Sequence, residues 1–185
     1  MLFIGEECRV CSCDMMGKHS QEHLTGEMPK CHLYQGTLFI VFITVWSLDS
    51  FVFRLTTLTP NIVLIWMSVL CAIIVMIFAL QLMNASHKVL FESSDMGLFT
   101  TGAFSRVRHP LYLGTCLVYL SLAIGTLSLL SIVLWVVVFL VYDAIASYEE
   151  RLLESKFGAE YADYRARVRK WIPIRKRQMK QVGTI

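Results

Sequence analysis

Two short polar stretches interrupt an otherwise strongly apolar chain, and both carry residue types that can do chemistry. Residues 106–112 read Arg-Val-Arg-His-Pro-Leu-Tyr, and residues 143–151 read Asp-Ala-Ile-Ala-Ser-Tyr-Glu-Glu-Arg. Arginine and histidine can bind anionic oxygens through charge-assisted hydrogen bonds, whereas adjacent carboxylates can accept from an ammonium group or hold a proton. Charges beside membrane segments are costly, so these two stretches are the first candidates for a functional site.

Pro110 predicts that a helix begins within the first stretch. Proline suits the first helical turn and pushes the preceding residue, His109, into an extended conformation. The imidazole and the nearby backbone N–H groups would then lie at a helix N-terminus, where anionic groups are favoured. Upstream, residues 97–104 form a glycine-flanked apolar loop that could lay its backbone against a flat ring.

The composition indicates the environment of the elements that must position these residues. Of the 185 residues, 56% are hydrophobic and 17% are charged, with a mean hydropathy of +0.58. Soluble domains average about 25% charged residues, so the composition argues against a water-soluble domain and excludes a disordered chain. The net charge of +3 is too small to indicate a nucleic-acid-binding protein.

Four stretches are long and apolar enough to cross a bilayer, which takes roughly 20 residues. One is predicted at 34–53, with Asp49 near its end, and a second at 61–83. The uncharged run 111–142 is too long for one crossing, so we predict two crossings joined by a tight turn within 125–131. The expected fold is an all-α integral membrane bundle of about four transmembrane helices.

The basic residues predict the orientation of this bundle. Four crossings place both termini and the loop between the second and third helices on one side, and every one of the 17 lysines and arginines except Arg54 falls there. Positive residues mark cytoplasmic loops, so we predict a multi-pass membrane protein with both termini cytoplasmic. The last two helices form a hairpin whose open ends lie together, which brings 106–112 opposite 143–151 at the cytoplasmic surface.

The residues after the last crossing are predicted to form an amphipathic cytoplasmic helical segment. Apolar and aromatic residues recur through 148–171 at spacings near three and four, with basic residues between them. Gly158 is placed to end one helix after Phe157. Such a segment can lie on the membrane surface, either covering the site or simply anchoring the chain.

The first residues, 1–33, are predicted to form a separate polar segment that precedes a membrane domain at 34–185. Its cysteines and histidines could bind a metal, because Cys8 and Cys11 have a ligand spacing, but no second such pair completes a zinc framework. A cytoplasmic location disfavours disulfides. Metal binding, thiol chemistry and an unstructured leader stay open for this segment. The residues concerned are Cys8, Cys11, Cys13, His19, His23, Cys31 and His32.

In their order and spacing, the motifs of the C-terminal half resemble the core of the isoprenylcysteine carboxyl methyltransferase family. The wider superfamily of that family includes phospholipid N-methyltransferases. The resemblance covers residues 94–173 and rests on RHPLY, an apolar hairpin, EERLL, KFGAEYADYRARV and WIP. It implies an integral-membrane methyltransferase that uses S-adenosylmethionine and acts on a lipid-like or small amphiphilic acceptor.

The resemblance also implies roles for individual residues. Arg108, His109, Tyr112 and Glu149 are the candidate catalytic residues, with no metal assigned. Phe104 stands where the family commonly has tyrosine, and Ile145 replaces an arginine that the prenylcysteine enzymes direct at the substrate carboxylate, which argues against that substrate. The implied cofactor contacts are Met96, Gly97, Leu98, Phe99, Phe104, His109, Pro110, Leu111, Tyr112 and Glu149.

The chemistry of the cofactor suits these residue types. Glu149, with Glu150, can accept from the ammonium of the methionine end, while His109 or Arg108 can bind its carboxylate. Aromatic faces attract the sulfonium cation. A carboxylate or thiolate acceptor needs no general base, whereas an amine acceptor must lose a proton. Tyr112, His109 and Asp143 are the candidates to take that proton.

Two other classes of protein stay open on the sequence. A non-catalytic membrane protein could use the polar hairpin end for a lipid headgroup or a partner, and the N-terminal segment as a metal sensor. A membrane reductase would use a nicotinamide cofactor, and the chain lacks the G-x-G-x-x-G fingerprint of many such sites. Binding of S-adenosylmethionine to the purified protein would distinguish the methyltransferase from both.

Overall fold

The computed structural model describes residues 31–58, 61–92 and 98–173, and these residues form helices and loops without a β-strand. The cysteine-bearing segment 1–33 lies almost wholly outside the described residues, as do Met96 and Gly97. A π-helical turn, Leu48–Phe53, extends the first helix, and a short 3₁₀ helix, Gly102–Ser105, precedes the third. The α-helices are α1 (Cys31–Ser47), α2 (Ile62–Glu92), α3 (Pro110–Thr126), α4 (Leu129–Phe157) and α5 (Ala159–Arg167).

The all-α membrane bundle predicted from the sequence is confirmed. Among the described residues, three helical stretches are long and apolar enough to cross a membrane: Leu33–Phe53, Ile62–Leu90 and Leu129–Phe157. Helix α3 is also apolar but has 17 residues, which is about 26 Å and slightly short of a hydrocarbon core of roughly 30 Å. It contacts α1, α2 and α4, so it lies inside the bundle.

Helices α2 and α3 approach closely at Gly114. A Cβ atom at this position would lie 2.5 Å from Cγ of Met83 and 3.2 Å from the backbone oxygen of Ala79. Small residues allow such backbone approach between membrane helices, where packing and hydrogen bonding replace the hydrophobic effect. The main buried cluster contains Phe42, Tyr112, Cys116, Tyr119, Val138, Tyr142, Ile145 and Ala146.

The predicted tight turn of the hairpin lies at Leu127 and Ser128. Leu127 ends α3 with a left-handed φ of +53°, and the Ser128 hydroxyl accepts from the backbone N–H of Ser131 to cap α4. The carboxylate of Asp49 accepts from the hydroxyls of Thr56 and Ser128, each at 2.6 Å. This Asp49 cluster ties the loop between α1 and α2 to the hairpin turn and holds that end of the bundle together.

At the other end, α4 continues without a break to Phe157, where Gly158 ends it with a φ of +53° as predicted. The prediction of helical structure through residue 171 is wrong beyond Arg167, where α5 ends. Val168 is extended, and Arg169 forms an isolated parallel bridge with Val107. The backbone N–H of Arg108 donates to the carbonyl of Arg169 at 3.1 Å, so pairing with the chain before α3 replaces helical hydrogen bonds here.

Candidate active site

A buried ion-pair network joins the start of α3 to α4, as the hairpin topology predicted. The guanidinium of Arg108 and Nε2 of His109 each lie 3.1 Å from Oε1 of Glu150. The side chains of Arg108 and Glu150 are 10% and 9% exposed, so the charges are mutually compensated within the protein. Arg106, from the same polar stretch, has an exposed side chain instead.

Tyr112 and Glu149 form the more open part of this network. The Tyr112 hydroxyl donates to Oε1 of Glu149, and Nδ1 of His109 lies 3.7 Å from the second oxygen of the same carboxylate. The rings of His109 and Tyr112 are nearly parallel, with centroids 5.8 Å apart. Because the Glu149 side chain is 26% exposed, it can receive a ligand group, whereas Glu150 is occupied by its protein partners.

Local sequence explains how the cationic end is built. Pro110 occupies the first turn of α3, and His109 precedes it with φ −121° and ψ 64°, outside the helical region, as a residue before proline prefers. Tyr112 follows one turn later and is buried beside Tyr142, with ring centroids 5.5 Å apart. Leu111, another of the implied cofactor contacts, is half-buried at the second position of the helix.

The loop before α3 carries the remaining described residues of the implied cofactor site. Phe99 and Phe104 lie with ring centroids 6.3 Å apart and present a small aromatic surface. Gly102 has a φ of +57°, and a Cβ there would lie 2.5 Å from Cγ2 of Val89. The loop therefore needs glycine to turn this closely against α2.

Helix α5 links that loop to the rest of the site. The Tyr164 hydroxyl donates to the backbone carbonyl of Phe104 at 2.7 Å. Leu98 packs against a buried cluster of Tyr161, Tyr164 and Val168. Burial raises the pKa of both tyrosine hydroxyls, so both stay protonated, although only Tyr164 donates to a described residue.

Residues 168–171, here called the C-terminal strap, are fastened to α4 by Asp143. The carboxylate of Asp143 accepts from Nζ of Lys170 at 2.6 Å and from the indole N–H of Trp171 at 2.7 Å. Lys170 also donates to Ser147 at 2.7 Å. The Trp171 ring centroid lies 6.0 Å from that of His109, so the strap forms one side of the site. This contact gives Asp143 a structural role beside the proton-accepting role considered from sequence.

The candidate site residues predicted from the sequence did not include three residues of this arrangement: Glu150, Lys170 and Trp171. A signal for the first was present, because Asp143, Ser147 and Glu150 are spaced at i, i+4 and i+7 and share one face of a continuous helix. No comparable signal marks the strap, since its contacts depend on where the chain returns after α5.

The resemblance aligns Ile145 with an arginine of the prenylcysteine enzymes. In this structure the Ile145 side chain is 3% exposed and belongs to the same apolar cluster as Tyr112 and Tyr142. An aliphatic side chain packed in the core therefore occupies that position.

The fold and this network define a class: an all-helical membrane protein with a buried polar network at one end of a helical hairpin. The phospholipid methyltransferase family model matches residues 57–160, more than half of the chain, and the protein belongs to that family. The match is consistent with the superfamily that the motifs resemble. No match was found among curated proteins or among solved structures.

The matched range contains α2, α3, α4 and both polar stretches, and members of this family generally use S-adenosylmethionine. The residues present fit that group. Glu149 is a partly exposed carboxylate that could accept from its ammonium, and the Phe99 and Phe104 rings could contact its adenine or sulfonium. The buried Nε of Arg108 has no hydrogen-bond partner among the described residues and can donate to a carboxylate.

Proposed function

We propose that this protein transfers a methyl group from S-adenosylmethionine to a lipid-like amphiphile at the cytoplasmic membrane face, with a phospholipid amine as the acceptor. The observation that carries the proposal is the arrangement of Tyr112 and Glu149 above the buried Arg108–His109–Glu150 group. An open carboxylate paired with a phenol lies at the end of a hydrophobic hairpin, within the range matched by the phospholipid methyltransferase family.

When bound, the cofactor supplies a methyl group that an in-line nucleophile can displace from the sulfonium sulfur, with the C–S bonding pair staying on sulfur. Alignment of two bound reactants can account for much of such an acceleration. In this chain Glu149 is assigned to the ammonium of the cofactor, and the loop rings of Phe99 and Phe104 to its apolar parts. The Arg108–His109–Glu150 group holds the start of α3 in place beside them.

An amine acceptor must lose a proton, and we assign the transfer of this proton to the Tyr112 hydroxyl. Tyr112 already donates to Oε1 of Glu149. Its oxygen can therefore accept a proton from an acceptor nitrogen while its own hydrogen passes to the carboxylate. Tyr142 and Ile145, buried beside the Tyr112 ring, keep this side of the site apolar and favour the uncharged amine.

The orientation and organisation of the chain belong to the same proposal. Both termini are assigned to the cytoplasm, because all basic residues except Arg54 then lie on one side. An acceptor can reach the site laterally from the bilayer, since the polar network adjoins membrane-spanning helices. Residues 1–33 are assigned to a separate segment that precedes the methyltransferase domain at 34–185.

The test uses the full chain, purified in detergent and incubated with methyl-labelled S-adenosylmethionine and a total membrane extract. We expect the label to enter the lipid fraction, on a headgroup nitrogen identified by mass spectrometry. The Glu149→Gln variant is expected to give no labelled lipid, whereas Tyr119→Phe, a change in the buried core, should label normally. Labelling confined to water-soluble products, or absent with every extract, would contradict the proposal.

A further inference from the structure

Two buried polar atoms beside the candidate site have no hydrogen-bond partner among the described residues. They are Nε of Arg108 and the hydroxyl of Tyr161. Tyr161 is 1% exposed, and the Arg108 side chain is 10% exposed. Native proteins satisfy nearly all such groups, so each exception calls for an explanation, and an absent ligand is a common one.

The two atoms lie in one part of the molecule. Tyr161 belongs to α5 and packs in the cluster that Leu98 covers, while Tyr164 in that cluster holds the carbonyl of Phe104. Val168 packs in the same cluster as Tyr161, and the carbonyl of the next residue, Arg169, accepts from the backbone N–H of Arg108 at 3.1 Å. Tyr161 therefore lies close to Arg108 and beside the loop that carries the implied cofactor contacts.

The chemistry of the two atoms is the same. The Nε–H of arginine can only donate. Burial, reinforced by the charge of Glu150, raises the pKa of Tyr161 and keeps its phenol protonated, so this oxygen also presents a hydrogen. The other nitrogen of Arg108 that the network uses is already paired with Glu150. Two unmatched donors, one on a cation, suit an anionic oxygen ligand.

We propose that Nε of Arg108 and the hydroxyl of Tyr161 form a carboxylate subsite that takes the methionine carboxylate of S-adenosylmethionine. The inference rests on the proposed function and extends it, because Tyr161 lies outside the set of residues that the family resemblance implies. A lipid phosphate offers the same anionic oxygens. The contacts to Leu98 and to the Phe104 loop favour the cofactor, since those residues belong to its implied site.

Equilibrium binding of two ligands to the full-length protein in detergent tests the subsite. The probes are S-adenosylmethionine and its decarboxylated form, which differ only in the carboxylate. The wild type should bind the first at least tenfold more tightly, consistent with a charge-assisted hydrogen bond. Tyr161→Phe keeps the ring and should weaken S-adenosylmethionine about tenfold without changing the affinity of the decarboxylated ligand. Arg108→Lys should likewise weaken the binding of S-adenosylmethionine, and Tyr119→Phe should change neither affinity.

Each other outcome contradicts the subsite in a recognisable way. Equal weakening of both ligands by Tyr161→Phe would show a purely structural tyrosine, and no change would show that the hydroxyl binds nothing. A raised KM for the lipid acceptor, with unchanged affinity for S-adenosylmethionine, would assign the donors to the lipid phosphate. If the wild type bound neither ligand, the proposed function would fail, and the subsite with it.

Discussion

Nε2 of His109 lies 3.1 Å from Oε1 of Glu150, although the two residues are 41 positions apart in the chain. The same carboxylate oxygen lies 3.1 Å from the guanidinium of Arg108. One oxygen on α4 therefore contacts both of the residues that directly precede α3 and holds them in place. The side chain of the adjacent Glu149 is 26% exposed, whereas that of Glu150 is 9% exposed, so the two neighbouring carboxylates differ in their access to solvent.

Substitution of the two carboxylates should separate their roles. Glu150→Ala leaves Arg108 and His109 buried without their counter-ion, and removal of one partner of a buried pair costs about 3–5 kcal/mol. We expect a marked fall in Tm in detergent. Glu149→Gln should leave Tm nearly unchanged and abolish methyl transfer. Differential scanning fluorimetry with a labelled-methyl assay measures both effects, and the opposite ranking of the two variants would exchange the assigned roles.

Tyr112→Phe removes the hydroxyl that donates to Glu149 and keeps the ring that stacks on His109. With an amine acceptor, kcat should fall about 10²-fold or more, as for loss of a general acid–base group. The affinity for the cofactor should fall much less than kcat, because the Tyr112 ring and the Glu149 carboxylate are both kept. Tyr119→Phe, a buried tyrosine on the same helix, serves as the matched control. A kcat for Tyr112→Phe equal to that of the control would remove the hydroxyl from the mechanism.

Asp143 is expected to position the strap and not to react. Asp143→Ala removes the acceptor shared by Lys170 and Trp171, so the strap should loosen and the Arg108 amide, which pairs with the Arg169 carbonyl, should exchange its hydrogen faster. The cofactor Kd should rise while kcat at saturation changes little. Hydrogen-exchange mass spectrometry gives the first readout and binding the second.

The control for this experiment is Arg165→Ala, which breaks an exposed pair with Glu154 whose partners are 48% and 49% exposed. Such surface pairs contribute little, so neither amide exchange at Arg108 nor cofactor affinity should change. If Asp143→Ala instead lowered kcat with unaltered exchange at Arg108, the carboxylate would have a direct chemical role.

Asp49 should matter for stability and not for the reaction. Asp49→Ala deprives the hydroxyls of Thr56 and Ser128 of their shared acceptor, and we expect a loss of about 2–3 kcal/mol. Because the Asp49 cluster lies at the closed end of the hairpin, cofactor affinity should not change. Thermal unfolding and equilibrium binding on the same sample measure the two. Weakened cofactor binding in a folded Asp49→Ala protein would mean that the two ends of the bundle are coupled.

The hairpin and its facing polar ends could be predicted from sequence because both depend on local rules. An uncharged run too long for one crossing requires a turn, and the turn lies at Leu127 and Ser128 within the predicted window. Pro110 begins a helix, and the hairpin then brings Arg108 and His109 opposite Glu150. A chain that crosses a bilayer must satisfy its backbone hydrogen bonds internally, as a helix does. The lengths of the apolar runs and the positions of the charged residues were therefore enough to predict the hairpin.

The features that escaped prediction depend on contacts distant in sequence. The helical spacing of residues 148–171 continues past Arg167, but the backbone of Val107 and Arg108 pairs with Arg169, and tertiary pairing overrides the periodicity. From the sequence, Asp49 was interpreted only as a charge near the end of a membrane helix. Its role as a hydrogen-bond acceptor involves Ser128, which follows it by 79 positions. The choice between Glu149 and Glu150 likewise depends on the rotation of α4 about its axis.

The proposed function requires that the open end of the hairpin bind S-adenosylmethionine. Equilibrium dialysis of the labelled cofactor measures this binding for purified wild-type protein and for the Glu149→Gln variant, each first shown to be folded by its Tm. We predict saturable binding to the wild type and at least tenfold weaker binding to the variant. Absence of saturable binding to folded wild-type protein, or equal binding to both proteins, would overturn the proposed cofactor site.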